Sequence, residues 1–293
     1  MTSITVHIPT INDWGPADFD RLFGLWQQVN SDNLDVTFEF SQCWFLRQNA
    51  VAFLGGLARL IHYRSGTVQM NWASLKPAVR RNLGKNGFRN AFGDPTSLGV
   101  GESIPFRQDL QPDENALMDY LKLMWLDRGW VNVSPALRDA IVGVVYEIYA
   151  NAFEHGQSPI GLFSCGQHFK NRKELKLTVV DFGVGIPSNV RQFAHDGSLP
   201  ADKAMEWAFQ PGTTTKPNGM GRGMGLDLLK QFVRVNNGTL EVFSHEGYTF
   251  VGKDRETHST RGVFFGGTLV NISLMCDDRH YMLASEARKG PLF

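Results

Sequence analysis

The sequence predicts an α+β fold in two units, a small α/β layer followed by a larger unit of helices and strands. Three observations carry this. The chain has 293 residues, and at ~150 residues per domain that suggests two domains. Strand-like and helix-like stretches alternate from Ile4 to Lys85, the pattern of a small α/β layer. Residues 93–112 carry Gly and Pro punctuation and little apolar period, as a linker does. The expected organisation is therefore 1–92, a linker over 93–112, a second unit over 113–276 and a tail over 277–293.

The elements follow in order. Residues 4–8 alternate like a short strand. Asp18 to Val29 reads as a helix, with Phe19, Leu22, Phe23 and Trp26 on one stripe. Val36 to Phe40 is a strand by composition, Asn49 to Arg64 an apolar helix and Thr67 to Trp72 a strand. Ser74 is suited to cap a helix running to Lys85. A helix over 113–127 places Leu117, Tyr120, Leu121 and Met124 together. Ser134-Pro135 then opens a long helix, which Gly156 stops. Strands at 159–165 and 174–181 follow, then helices near 187–194, 201–208 and 224–236. Strands at 239–244, 248–252 and 263–274 come last, and 279–293 reads as a tail or a short helix.

Composition excludes several classes. Apolar residues at 42% and charged ones at 20% argue against wholesale disorder. Twenty-nine basic residues balance twenty-nine acidic ones, so the chain is no histone-like polycation. The balance is a cancellation: residues 1–39 hold six acids against Arg21. Between Glu39 and Asp94 there are eight bases and no acid. Lys76 and Arg80 share a helix face there, which fits either a docking patch for an acidic partner or a solvated face. No motif supports nucleic acid. No basic-then-apolar leader opens the chain and no membrane-length apolar run is present. Three scattered cysteines form no metal motif and suggest a reducing compartment. The expectation is a cytoplasmic protein without a membrane span.

Glycine makes up 30 of the residues, and eight of these lie between Gly183 and Gly225. Clustered Gly marks backbone that turns tightly or approaches something closely. Four stretches carry chemistry. Glu147, Asn151 and His155 recur every fourth residue, so they share one helix face; alone, a solvated polar stripe fits them as well. A β-run ends in Asp181 followed by Gly183 and Gly185, which an ordinary strand-to-helix turn also explains. Next come Gln210-Pro-Gly-Thr213-Thr214-Thr215-Lys216 and Gly219, Gly221, Arg222, Gly223 and Gly225 ahead of a helix. Exposed amides at a helix start suit phosphate oxygens, although neither a Walker A loop nor a dinucleotide fingerprint is present. Last is Gly267-Thr268 entering a strand.

In this order the four stretches resemble the ATP-binding domain of the GHKL superfamily, the Bergerat fold of gyrase, Hsp90, histidine kinases and MutL, over about 113–275. Glu147-x-x-x-Asn151-Ala-x-Glu-His155 looks like its N box, Asp181-x-Gly183-x-Gly185 its G1 box and Gly221-x-Gly223-x-Gly225 its G2 box. The resemblance implies an α/β sandwich, a mixed sheet with helices on one face, holding ATP and Mg²⁺. It implies Asn151 on Mg²⁺, Glu147 as general base, and Asp181 with Thr268 at the adenine amino group. Gly183 and Gly185 would let adenine approach. Residues 210–222 would form a lid, and Thr214, Lys216, Gly221, Arg222, Gly223 and Gly225 would meet phosphate. The region resembles the anti-sigma serine kinases most, and leaves the role of His155 open. The N-terminal unit resembles a STAS domain, with Arg47-Gln48 where anti-sigma antagonists carry Asp-Ser, so a serine phosphoswitch is not expected there.

These features point to a Mg²⁺-dependent ATPase or serine/threonine protein kinase in a signalling system. The STAS-like unit would be its regulatory domain and the face that binds a protein partner. A homodimer is allowed. The alternative is an ATP-gated switch or interaction module with little catalysis, in stress signalling or phage defence. A histidine kinase fits less well, because no acceptor His on a dimerising helix pair precedes residue 113.

Overall fold

The computed structural model describes residues 2–12, 15–95, 98–213 and 225–287. The N-terminal layer is a three-stranded parallel sheet of β1 (Thr2–His7), β2 (Leu34–Glu39) and β3 (Thr67–Met70), in that order. The crossovers are α1 (Pro16–Gln28) and α2 (Gln48–Tyr63). The stripe Phe19, Leu22, Phe23 and Trp26 of α1 is buried, as its spacing requires. In α2 all of Gln48 to Ala58 is buried, along with Leu60 and Ile61. A helix apolar all round must be covered all round, and α2 packs against both β3 and the second sheet.

The helix expected from Ser74 begins later, as α3 (Pro77–Lys85), after a 3-10 turn at Trp72–Ser74. Pro77 sets the start: the residue before a proline is held extended, and Lys76 has ψ 147°. Ser74 instead accepts from the Phe40 amide (2.9 Å) and donates to the Asn71 carbonyl (2.7 Å). A short α4 (Phe88–Ala91) follows.

The second sheet has five strands: β4 (Ser103–Asp109), β5 (Leu162–Phe169), β6 (Glu174–Asp181), β7 (Thr239–Val251) and β8 (Glu256–Met275). Their order is β4-β5-β6-β8-β7. Each of the four pairings is antiparallel, where a mixed sheet was expected. The stretch 93–112 is more than a linker, because β4 lies in it and pairs with β5. Its Pro105 donates no ladder bond. An edge strand tolerates that, and the register shifts between Ile104 and Arg107. The two strands expected at 239–244 and 248–252 are one, β7, with register shifts about His245, which sits at φ 53°.

Helices α5 (Glu114–Asp119), α6 (Pro135–His155) and α9 (Gly225–Asn236) cover one face of this sheet, with a π-helical turn at Tyr120–Leu126 after α5. Helices α7 (Ile186–Ala194) and α8 (Ala201–Ala208) lie beside β7. The opposite face is covered by α1 and α2. β6, most of β5 and the C-terminal half of β8 are therefore buried on both faces. In β6, Leu175, Leu177 and Val179 point to the α6 side, while Val180 and, just beyond the strand, Phe182 point to the α2 side. The apolar cluster of the N-terminal layer thus runs without a break into Phe163, Val180, Phe243 and Phe265 of the second sheet.

The C-terminal segment docks back. Tyr281 bridges to Val133, and α10 (Ala284–Ala287) places Glu286 so that it accepts from the Ser134 hydroxyl at 2.6 Å. Cys43 and Cys165 are buried and Cys276 half-buried, all unbridged. Among the described residues no helix is long and apolar enough to cross a membrane.

Candidate functional site

Helix α6 begins where the sequence placed it: Ser134 accepts from the Leu137 amide at 3.2 Å, with Pro135 at the first turn. From that start, the spacing of four puts Glu147, Asn151 and His155 along one line, and all three face a cavity of about 250 Å³ between α6 and the sheet. The floor of the cavity is apolar, from Val179, Leu240, Val242 and Val270. Glu147 Oε2 is buried with no hydrogen-bond partner. A bare carboxylate oxygen in such a place is costly unless a ligand, ion or water meets it.

Asp181 closes the far wall. It is the last residue of β6, paired in register with Thr268 of β8. The alternation that buries Leu177 and Val179 on the α6 side carries Asp181 to the same side. Its Oδ1 accepts from the Gly183 amide at 2.8 Å. The carboxyl is 3% exposed. Burial pushes its pKa up to about 7, against hydrogen bonds from Gly183 and Thr268 that favour the charged form. A carboxyl so poised accepts a hydrogen bond from an amine with little competition from water.

The two glycines of the turn have distinct jobs. A Cβ on Gly183 would sit 1.7 Å from the Gly156 carbonyl oxygen. That carbonyl accepts from Val184 at 2.7 Å, so the turn docks on the C-terminal end of α6. Gly185 sits at φ 75° and lines the cavity. The close approach that Gly183 serves in this structure is thus backbone to backbone, while Gly185 is the one beside the cavity.

Several positioning residues had no sequence signal. Ser244 of β7 accepts from the Ile186 amide (2.8 Å), donates to the Gly267 carbonyl (3.0 Å) and lies 3.1 Å from Thr268 Oγ1. It therefore ties the start of α7 to β8. His245 reaches the Val184 carbonyl through Nε2 (2.8 Å), and burial pulls its imidazole below the usual range. Asn189 donates to the His155 carbonyl at 3.0 Å. These contacts link strands and turns remote in sequence, so no local pattern announces them.

Of the expected lid, the described residues reach Thr213, which donates to the Gln210 carbonyl at 2.8 Å. They resume at Gly225, the first residue of α9. Gln210, Thr213, Leu226 and Asp227 all line the cavity. Thr214, Lys216, Gly221, Arg222 and Gly223 lie outside the described residues. Glu147, Asn151, His155, Asp181, Gly185 and Thr268 are brought to one cavity.

Residues 136–264 match the family of histidine kinase-, DNA gyrase B- and HSP90-like ATPases. The matched stretch of this ATPase family runs from the first turn of α6 into β8, and so spans Glu147, Asn151, Asp181 and the glycines after it. Thr268 lies four residues beyond its end, and the whole N-terminal layer lies outside it. No curated protein sequence matches the chain.

Proposed function

We propose that the chain binds ATP with Mg²⁺ in the cavity beneath α6 and cleaves or transfers its terminal phosphoryl group. The observation that carries this is the convergence of Asp181 and Thr268 with Glu147 and Asn151 across one apolar cavity, with Glu147 Oε2 buried and unpartnered. The match to histidine kinase-like ATPases over 136–264 supports it.

In this reading Asp181 accepts from the adenine amino group, and Thr268, steadied by Ser244, supports that end. The apolar floor takes the faces of the ring. Asn151 is the residue that would hold Mg²⁺, an ion that needs few protein ligands beside phosphate and water. When bound, Mg²⁺ neutralises charge on the phosphates. Glu147 takes the proton of the attacking water or protein hydroxyl, since its buried oxygen has no other donor. Thr214, Lys216, Gly221, Arg222 and Gly223 remain the proposed phosphate contacts of the lid. The N-terminal layer is the proposed STAS-like regulatory unit and partner-binding face. Its β-α-β-α-β-α order is consistent with that.

A second reading, an ATP-gated switch with little turnover, is favoured by one observation: the N-terminal layer packs on the back of the sheet that floors the cavity. Incubation with Mg²⁺ and γ-labelled ATP tests both. The first expects phosphate release or transfer that stops in Glu147→Gln while ATP still binds. ATP binding without turnover in the unaltered chain supports the switch. Failure of the folded chain to bind ATP at millimolar concentration overturns both.

A further inference from the structure

The eight bases between Glu39 and Asp94 are mostly spoken for. Arg59 donates to Gln108 and the Ala91 carbonyl, Arg64 to Asn30, and Arg80 to the Trp72 carbonyl. Arg89 pairs with Asp94, and Lys76 lies over the Trp44 ring at 4.5 Å. Arg81 and Lys85, one turn apart on α3, have no carboxylate partner among the described residues.

Both line a second cavity, of about 500 Å³, between the N-terminal layer and the edge of the second sheet. Its near wall is α3 and the first residues of α2; its far wall is the end of β5 and the turn Lys170–Arg172. Lys170 faces it without a carboxylate partner among the described residues, and Arg172 lies beside it, paired with Glu174. Arg47, 5% exposed, has its guanidinium 4.0 Å from the Phe169 ring centroid and is paired with Glu174. The one acid in the lining, Glu102, is engaged by His168. The N-terminus of α2, a 16-residue helix, opens here and adds its dipole.

An independent observation marks the cavity as a site. Gln48 is 2% exposed and lines it. Its Nε2 reaches Thr178 and Asn271, while its Oε1 has no partner. A buried acceptor left open asks for a donor from whatever fills the space. Cations alone would suit a bare anion; a cation cluster with an open amide oxygen, in a space larger than one phosphate, suits a ligand with an anionic group and a hydroxyl.

We propose that this cavity binds a small phosphate ester, its phosphate held by Arg81, Lys85 and Lys170 and a hydroxyl donating to Gln48 Oε1. This site stands on the opposite face of the second sheet from the ATP cavity and rests on none of its residues.

The test uses the whole chain and two probes, glycerol 3-phosphate and inorganic phosphate, by calorimetric titration with and without saturating ADP. The expected result is saturable binding of the ester, tighter than that of phosphate, unaffected by ADP and by Asp181→Asn. The Arg81→Ala, Lys85→Ala double variant should weaken it about tenfold or more. Neither side chain is fully buried, so the fold should persist, and circular dichroism checks this. Unchanged binding in a folded double variant overturns the proposal. So does competition by ADP, equal affinity for the two probes, or no saturation below ~10 mM.

Discussion

Gln48, the first residue of α2, places its Nε2 3.3 Å from Asn271 Oδ1 in the C-terminal half of β8. Asn271 also accepts from Thr178 at 2.8 Å and donates to Glu241 at 3.0 Å, and Tyr248 donates to the same carboxylate at 3.0 Å. The neighbours of Asn271 in β8, Val270 and Ile272, point to the other face, and Val270 floors the candidate site. The N-terminal layer is therefore hydrogen-bonded to the back of the strand whose front lines the candidate site. Such a buried polar chain specifies one seating of α2 on the sheet, because any shift would strand its members without partners.

Gln48→Ala removes one member of that chain and leaves a small void. We expect a loss of about 1–3 kcal/mol in unfolding free energy. Because α2 shares its apolar cluster with Phe163, Val180 and Phe265, urea unfolding should remain a single transition. Coincident far-ultraviolet dichroism and tryptophan fluorescence curves would bear this out. Two separated transitions would show that the layer and the sheet unfold independently.

Gly183→Ala should be far more damaging than its size suggests. The added methyl would lie 1.7 Å from the Gly156 carbonyl oxygen, and relief would break the hydrogen bond that the Val184 N–H donates to that same carbonyl. The expected cost is about 3 kcal/mol or more, with a matching loss of ATP affinity as the turn beside Asp181 moves. Gly197→Ala, where nothing lies within 4 Å of the new atom, is the control and should shift stability by only about 0.5 kcal/mol. Equal melting temperatures for the two variants would refute the account of the turn.

The legible parts of the chain were those whose signal is local. Ser134-Pro135 marks the start of α6, the spacing of four aligns Glu147, Asn151 and His155, and the β-run into Asp181 sets its face by alternation. What stayed hidden is non-local. Pro105 and the polar residues around it disguise β4, whose pairing depends on β5, more than fifty residues on. Ser244 and Asn189 serve the site only through turns that meet in space. The burial of α2 on all sides was written in its composition, but its second neighbour, the back of the second sheet, was not.

Asp181 yields a prediction in pH. Its carboxyl is raised to about 7 by burial, from an unfolded value of ~3.9. Below ~4 it is protonated in both the folded and unfolded chain. As pH rises toward 7 the unfolded chain loses the proton readily while the folded one resists, so the stability carried by the neutral form is lost. The uncharged Asp181→Asn should therefore gain stability relative to the unaltered chain between pH 5 and 8, read as the difference of their unfolding free energies. ATP binding should show the opposite sign. A hydrogen bond from the adenine amino group favours the ionised carboxylate, so affinity for ATP should climb from pH 6 to 8 in the unaltered chain. In Asp181→Asn it should be about tenfold to a hundredfold weaker and flat with pH. A stability difference that does not change with pH would mean that Asp181 is already ionised in the free protein. The amine would then meet a permanent carboxylate, and ATP affinity would show no climb.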